Sequence, residues 1–233
     1  MRSAFSISLL SIVLLAFVSP SQADERWVEG KHYFRIQPAQ PTTVPPGKVE
    51  VTEVLSYGCP ACYRFLPVVE QLRKQLPPQA QLTYVHASFN AAEQWPMFQR
   101  AFYTAQQLNI VDKTHEAMFR AVWGHNAELA VSDPATNRIK TPAPTLEDAA
   151  KFYAKTAGID AKQFLATSKS FAVDMNIRRA ETFMKAARVD QTPTIVVNGK
   201  YRLHVPSAGG VKEMLELVNY LVQRESLASS ASR

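Results

Sequence analysis

Two cysteines separated by two residues, Cys59 and Cys62, lie where a strand pattern gives way to a helix pattern. They are the only cysteines among the 233 residues. A bridge between them closes a very short loop, so it stabilises a fold less than a long-range bridge does. Two thiolates are also too few for a tetrahedral zinc site built from cysteines. The pair is therefore predicted to be a redox-active dithiol, with an inert cysteine pair as the alternative.

The residues on both sides of the pair predict its local structure. Residues 48–57 are rich in β-branched side chains and predict a strand, which Gly58 ends. Pro60 is favoured in the first turn of a helix, and the apolar residues after it recur at helical spacing. Unpaired N–H groups and the helix dipole stabilise a thiolate at such a position. Cys59 is therefore predicted to be the attacking cysteine, and Cys62, on the apolar side, the resolving one.

A carboxylate lies in the strand that precedes the cysteines. Glu53 shares one strand face with apolar residues that include Val51 and Leu55. An acid on such a face is expected to have a raised pKa and is placed to relay protons beneath Cys62. The alternative is an edge carboxylate that reaches solvent.

The first 23 residues have the pattern of a secretory signal peptide. Arg2 precedes an apolar run of about ten residues, and small residues precede the predicted mature start at Asp24. The run is shorter than the ~20 residues that span a bilayer, which disfavours a membrane anchor. The short leader with little basic charge favours bacterial export to the periplasm. No later segment has the length and hydropathy of a membrane span, so we expect a soluble mature protein.

The remaining chain changes pattern twice. Residues 24–90 predict an extended lead-in, a strand at 48–57, a helix and a second strand at 81–89. Residues 91–187 predict five helices, and their aromatic residues are expected to pack in a helical core: Trp95, Phe98, Phe102, Phe164, Phe171 and Phe183. One α/β unit is therefore predicted to be interrupted by an all-helical domain.

The C-terminal residues 188–233 return to an α/β pattern. A buried strand is predicted at 194–197, a hairpin turn at Asn198-Gly199 and a return strand at 201–205. A final amphipathic helix is predicted over 211–223, followed by a frayed tail from residue 226.

Composition narrows the classes of function. The net charge of +6 is spread along the chain without a dense basic run, which disfavours nucleic-acid binding. Tyr63 follows the second cysteine, so the motif for covalent haem attachment is absent. The scattered histidines are predicted to be surface or packing residues: His32, His86, His115, His125 and His204.

Taken together, several of these features resemble one known family. The segment Cys59-Pro60-Ala61-Cys62 with Pro67 in the following helix, the segment 191–201, the leader and the helical insertion resemble the DsbA-type periplasmic thiol oxidases of the thioredoxin superfamily. The resemblance covers nearly the whole mature chain. It implies an α/β thioredoxin-like fold with an inserted all-helical domain. Residues 24–90 and 188–233 would form the thioredoxin-like domain, and residues 91–187 the insertion.

The resemblance also assigns residues around the dithiol. It implies a cis bond before Pro193, which would face the cysteines and leave the backbone of Thr192 to pair with an extended substrate. Without the resemblance, the sequence does not distinguish a cis from a trans bond. Family members carry an acid at the position of Glu53. Ala61 stands where the strongest oxidants have a histidine, and Tyr84 replaces a lysine near the acid, so we expect a milder oxidant.

The implied reaction and partners follow from the family. The oxidised dithiol would introduce disulfides into unfolded exported proteins with free cysteines, and a DsbB-like membrane quinone reductase would reoxidise it. No dissociable cofactor is expected. A monomer is expected because residues 24–47 are too short for the dimerising module that disulfide isomerases often carry. A periplasmic isomerase or reductase, and a module that delivers copper or zinc through the two cysteines, are the alternatives.

Overall fold

The computed structural model describes residues 26–133, 135–136 and 138–231. The predicted signal peptide and the predicted mature start at Asp24 lie outside the described residues. No helix in the described part of the chain has the length and hydropathy needed to cross a membrane.

The order of elements follows the predicted alternation of α/β and helical segments. In chain order the elements are β1 (Phe34–Arg35), β2 (Val49–Leu55), α1 (Pro60–Gln75), β3 (Ala80–His86), α2 (Trp95–Gln107), α3 (Val111–Trp123), α4 (Leu146–Ala157), α5 (Ala161–Ser168), α6 (Phe171–Ala186), β4 (Thr194–Val197), β5 (Tyr201–Leu203), α7 (Val205–Ala208) and α8 (Val211–Ala231).

The strands form a single sheet within the described residues, in the order β1-β5-β4-β2-β3. β2 runs parallel to β3 and antiparallel to β4, and every residue of β2 is buried. A parallel pair needs a crossover connection, which α1 provides. The crossover begins directly after the carboxyl end of β2, so it places Cys59 and Cys62 at that end of the central strand.

The two faces of the sheet carry separate cores. One face packs against α1 and α8 through residues such as Val51, Leu72 and Leu221. The other face packs against the helical block α2–α6, with Val54 and Phe98 among the buried residues. The predicted α/β unit with an inserted helical block is confirmed, and the domain boundaries at 90/91 and 187/188 stay a prediction.

The expectation that the aromatic residues pack in the core is wrong at one position. Phe98, Phe102 and Phe164 are fully buried, and Phe183 packs partly buried against them. Phe171, in contrast, is 77% exposed. It is the first residue of α6, directly after the helix cap, where a side chain is not forced onto the packed face.

Two predictions at the C-terminal end are also wrong. The return strand ends at Leu203 because the short helix α7 begins at Val205, and Pro206 in its first turn has no N–H for a strand ladder. The final helix continues to Ala231, so residues 226–231 are not a frayed tail. The reason is Glu225, which is 3% exposed and bonded to the β4–β5 hairpin.

Candidate active site

Cys59 caps the N-terminus of α1, as predicted. Its backbone is extended, and its Sγ accepts a hydrogen bond from the backbone N–H of Cys62 at 3.4 Å. Pro60 is the first residue of the helix and is exposed, whereas Cys59 is only 5% exposed. Both cysteines are free thiols, so the described state is the reduced dithiol.

The surroundings of Cys59 favour its thiolate. A hydrogen bond from the Cys62 thiol contributes most, and further bonds come from the Thr192 side chain and from the backbone N–H groups of residues 61 and 62. Burial opposes this effect, but the bonds outweigh it and lower the pKa of Cys59 to about 6. A sulfur of this kind is a good leaving group in thiol exchange.

Cys62 has the opposite environment. It is 1% exposed and lies on the buried face of α1 with Phe65 and Val69. Burial raises its pKa far above the ordinary value, and its bond to Cys59 and the charges of Cys59 and Glu53 act in the same direction. The dithiol therefore combines an acidic sulfur at the helix N-terminus with a sulfur on the buried face of the helix that stays protonated.

The loop that precedes β4 contains Thr192 and Pro193 and lies next to the dithiol. The Thr192–Pro193 bond is cis, in agreement with the resemblance. The Cys59 thiol lies 3.5 Å from the carbonyl oxygen of Thr192 and donates a hydrogen bond to it. This carbonyl therefore faces the cysteine in the reduced state.

Glu53 is buried beneath this site. It is 2% exposed, so the alternative of an edge carboxylate that reaches solvent is wrong. Its Oε2 is buried without a hydrogen-bond partner among the described residues. Burial raises the pKa of Glu53 to about 8; Arg73 opposes the shift, and the charge of Cys59 adds to it. The carboxyl group is therefore mostly protonated at neutral pH.

Comparison with known proteins gives one consistent family. A family model described as "Thioredoxin" matches residues 45–216. The thiol:disulfide interchange protein DsbA of Pseudomonas aeruginosa is 33% identical over 229 residues, which cover 98% of this chain and 99% of that protein. The corresponding protein of Burkholderia cepacia is 30% identical over 227 residues, covering 96% of this chain and 97% of its own.

The chain belongs to the DsbA family.

Solved structures of the family agree. The crystal structure of Pseudomonas aeruginosa DsbA matches with a TM-score of 0.73 at 33% identity and covers 89% of this chain and 98% of that one. The DsbA of Xylella fastidiosa also gives 0.73, at 29% identity, over 86% and 98% of the two chains. This DsbA-family chain is thus a protein-disulfide oxidoreductase with a thioredoxin-like fold and a helical insertion, and its substrates are proteins with cysteines.

Ala61 lies between the two cysteines, and its side chain offers the thiolate no hydrogen bond. Ala61 is the second residue of α1 and is half-buried beside the dithiol. Its methyl side chain has no donor for the thiolate, so side-chain stabilisation of Cys59 comes from Cys62 and Thr192 instead.

The residues near Glu53 include a cation that sequence reasoning missed. Tyr84 is the partner of Glu53 in the β2–β3 register, and its hydroxyl accepts a hydrogen bond from Arg73 at 2.5 Å. Arg73 therefore brings its charge close to Tyr84 and lowers the pKa of Glu53 against the effect of burial. A signal existed, because Arg73 follows Cys62 by roughly three helical turns and so shares its side of the helix.

The histidine prediction holds in part. His32 and His204 are half-buried and His125 is exposed, whereas His86 and His115 are both buried. Burial lowers the pKa of His86 to about 3, and that of His115 likewise to about 3. Both rings contact Tyr57, two residues before Cys59, so they are not scattered relative to the site.

A metal site has no structural support in the described part of the chain. No three or more His, Cys, Asp or Glu side chains there lie close enough together to hold an ion. Two cysteines alone leave a tetrahedral centre incomplete.

Proposed function

We propose that this chain is a monomeric periplasmic dithiol oxidase in which Cys59 is the sulfur that substrates attack and Cys62 is the resolving cysteine. The single observation that supports the assignment most is the contrast between the two sulfurs. The pKa of Cys59 lies near 6 at the helix N-terminus, whereas Cys62 is buried and its pKa is raised. Because the reduced form holds a stabilised thiolate, the oxidised form is the stronger oxidant.

The first exchange opens the enzyme's own bridge. A substrate thiolate attacks Sγ of Cys59, the Cys59–Cys62 bond breaks, and its electron pair leaves on Cys62. The raised pKa of Cys62 means that this sulfur must take up a proton. Glu53, whose pKa of about 8 keeps it protonated at neutral pH, is the nearby donor that we propose for this step.

The second exchange releases the product. A second substrate thiolate attacks the substrate sulfur of the mixed disulfide and expels Cys59 as a thiolate. The substrate has then lost two electrons and gained a disulfide, and the enzyme has gained both electrons as a dithiol. The acidity of Cys59 favours this step because a sulfur of low pKa leaves faster.

The cycle then needs a reoxidant. We propose a DsbB-like membrane quinone reductase, which accepts the two electrons and restores the Cys59–Cys62 bridge, so that no dissociable cofactor belongs to this chain. The substrates are unfolded exported proteins with free cysteines. The predicted leader and the persistence of disulfides outside the cytosol support the periplasmic location.

Two measurements test this proposal. The redox potential of the dithiol, determined in a glutathione buffer, is expected to lie on the oxidising side of glutathione; a potential below that of glutathione would identify a reductase. Cys59→Ser is expected to abolish oxidation of a reduced model protein, whereas Cys62→Ser is expected to accumulate mixed disulfides. Full oxidase activity in the Cys59 variant, or efficient repair of scrambled disulfides by the native enzyme, contradicts the assignment.

A further inference from the structure

Every polar group of Tyr57, the residue two positions before Cys59, has a hydrogen-bond partner. Tyr57 is fully buried, and its N–H donates to Nε2 of His86 at 2.9 Å. Its carbonyl oxygen accepts a bond from Nε1 of Trp123 at 2.8 Å. Its hydroxyl is hydrogen-bonded to Nδ1 of His115 at 3.0 Å. A buried residue with all polar groups paired is tightly fixed, because moving it breaks several bonds at once.

The hydrogen-bond partners of Tyr57 belong to two other elements, β3 and α3. Trp123 and His115 both belong to α3, in the helical insertion, and His86 is the last residue of β3. The ring of Phe119, also on α3, packs edge-on against Tyr57 with centroids 5.0 Å apart. The insertion thus reaches across to the segment that enters the dithiol.

His86 is itself fixed by the insertion. Its N–H donates to the hydroxyl of Tyr103, and its carbonyl accepts from Nε2 of Gln99, both on α2. Its Nδ1–H donates to the carbonyl of Ala87 at 2.9 Å. That bond leaves Nε2 as an acceptor, which is the role that the N–H of Tyr57 requires.

The next residue along the chain, Gly58, packs closely against a side chain of the insertion. A Cβ on Gly58 would lie 2.5 Å from Cδ1 of Trp95, the first residue of α2. Tyr57 and Gly58, the two residues that precede Cys59, therefore both pack against helices of the insertion. The bond from the Cys62 N–H to Sγ of Cys59, at 3.4 Å, therefore depends on where these two residues place Cys59.

We propose that Trp123 and His86 are positioning residues for the redox reaction: by fixing the backbone of Tyr57, they hold Sγ of Cys59 against the first N–H groups of α1. The helical insertion then fixes the segment that leads into the dithiol and so affects how well the N–H groups of α1 stabilise the Cys59 thiolate. The inference rests on the proposed function, because it takes Cys59 as the sulfur that substrates attack.

The test compares two tryptophan variants. Trp123→Phe removes the indole donor to Tyr57 and keeps an aromatic ring. Trp27→Phe is the matched control, since Trp27 is 8% exposed in the core on the other face of the sheet. The readouts are the pH dependence of Cys59 alkylation and the equilibrium with glutathione, together with the free energy of unfolding of each variant.

We expect the Trp123 variant to raise the pKa of Cys59 by about one unit and to weaken its oxidising equilibrium about fivefold at pH 7. The Trp27 variant is expected to lose stability and leave both readouts unchanged. An unchanged pKa in Trp123→Phe, or an equal rise in both variants, overturns the inference.

A second pair of variants addresses the His86 bond. His86→Gln retains an acceptor at the position of Nε2, whereas His86→Leu removes it. The glutamine variant is expected to keep the pKa of Cys59 within about 0.3 units of the native value and the leucine variant to raise it by about one unit. Equal values in the two variants count against a positioning role. If native Cys59 itself titrates like an ordinary thiol, the proposed function fails, whatever the variants do.

Discussion

At the scale of single residues, the difference in pKa between Cys59 and Cys62 comes from their positions on α1 more than from neighbouring charges. Cys59 and Cys62 are one helical turn apart, yet one faces the N–H groups that begin α1 and the other faces its buried side. This contrast follows from the strand–Gly–Cys–Pro pattern, and the sequence was sufficient to predict it. The roles of His86 and His115 were not predictable in this way, because both contact Tyr57, which is distant from them in the sequence.

A histidine at position 61, which the sequence resemblance implies for stronger oxidants, tests how much Ala61 limits the oxidant. Ala61→His adds a donor beside the Cys59 thiolate and is expected to lower the pKa of Cys59 by about one unit. The reduced form gains the same stabilisation, so the redox potential is expected to rise by roughly 30 mV. Ala61→Phe, which adds a ring without a donor, is the control. A potential that rises equally in both variants contradicts the explanation.

Replacing the buried acid Glu53 is expected to change how the free energy of unfolding depends on pH. The folded-state pKa of Glu53, about 8, lies above its ordinary value of 4.5, so its protonation stabilises the fold at low pH and this contribution is lost as pH rises through 8. Glu53→Gln cannot ionise. Relative to the native reduced protein, this variant is expected to gain roughly 1.4 kcal/mol of unfolding free energy between pH 7 and pH 9. If the difference in unfolding free energy between the variant and the native protein does not change over this range, Glu53 is already ionised at pH 7.

At the scale of elements, local signals explain which boundaries were predictable. Thr145 and Asp148 form a capping box at the start of α4, and Gly158 ends that helix in the left-handed region. Both bounds of α4 were therefore readable from the sequence. The end of α8 was not, because it depends on Glu225, whose partners lie on the β4–β5 hairpin.

The contact between α8 and the hairpin has a testable energy. Asn198, Lys200 and Tyr201 all donate to the buried carboxylate of Glu225. Glu225→Ala leaves these donors without their partner and is expected to cost about 3 kcal/mol of unfolding free energy. The pKa of Cys59 is expected to stay unchanged, since the dithiol lies at the other end of β4.

The matched control for that variant is an exposed acid. Glu128→Ala breaks a surface pair with Lys155, whose charged atoms are 3.6 Å apart, and is expected to cost less than about 0.5 kcal/mol. Equal losses from the two variants, measured by denaturant unfolding, would mean that Glu225 does not anchor α8.

At the scale of the whole molecule, the helical insertion and the α/β unit share the core that surrounds Tyr57. His86 and His115 lie in that core as neutral rings. The sequence predicted the insertion but gave no sign that it reaches the active-site segment, since the three polar contacts of Tyr57 span 29 to 66 residues. Only the folded chain brings them together.

The buried histidines predict acid sensitivity. The pKa of His115 is about 3 in the folded state against an ordinary value of 6.5, so the unfolded chain binds more protons between these values. Its contribution to stability is complete above pH 6.5 and is lost as pH falls towards 3. Between pH 7 and pH 5 the native protein is expected to lose about 2 kcal/mol more than His115→Asn. Parallel pH profiles of the two proteins would show that His115 is not buried as a neutral ring.

The most direct test of the central claim is the rate of Cys59 alkylation in the reduced protein, followed as a function of pH. The account predicts a thiolate that forms with a midpoint near pH 6, because hydrogen bonds from Cys62 and Thr192 and the N–H groups of α1 stabilise it. A midpoint above about pH 8, the range of an unperturbed thiol, would contradict the account.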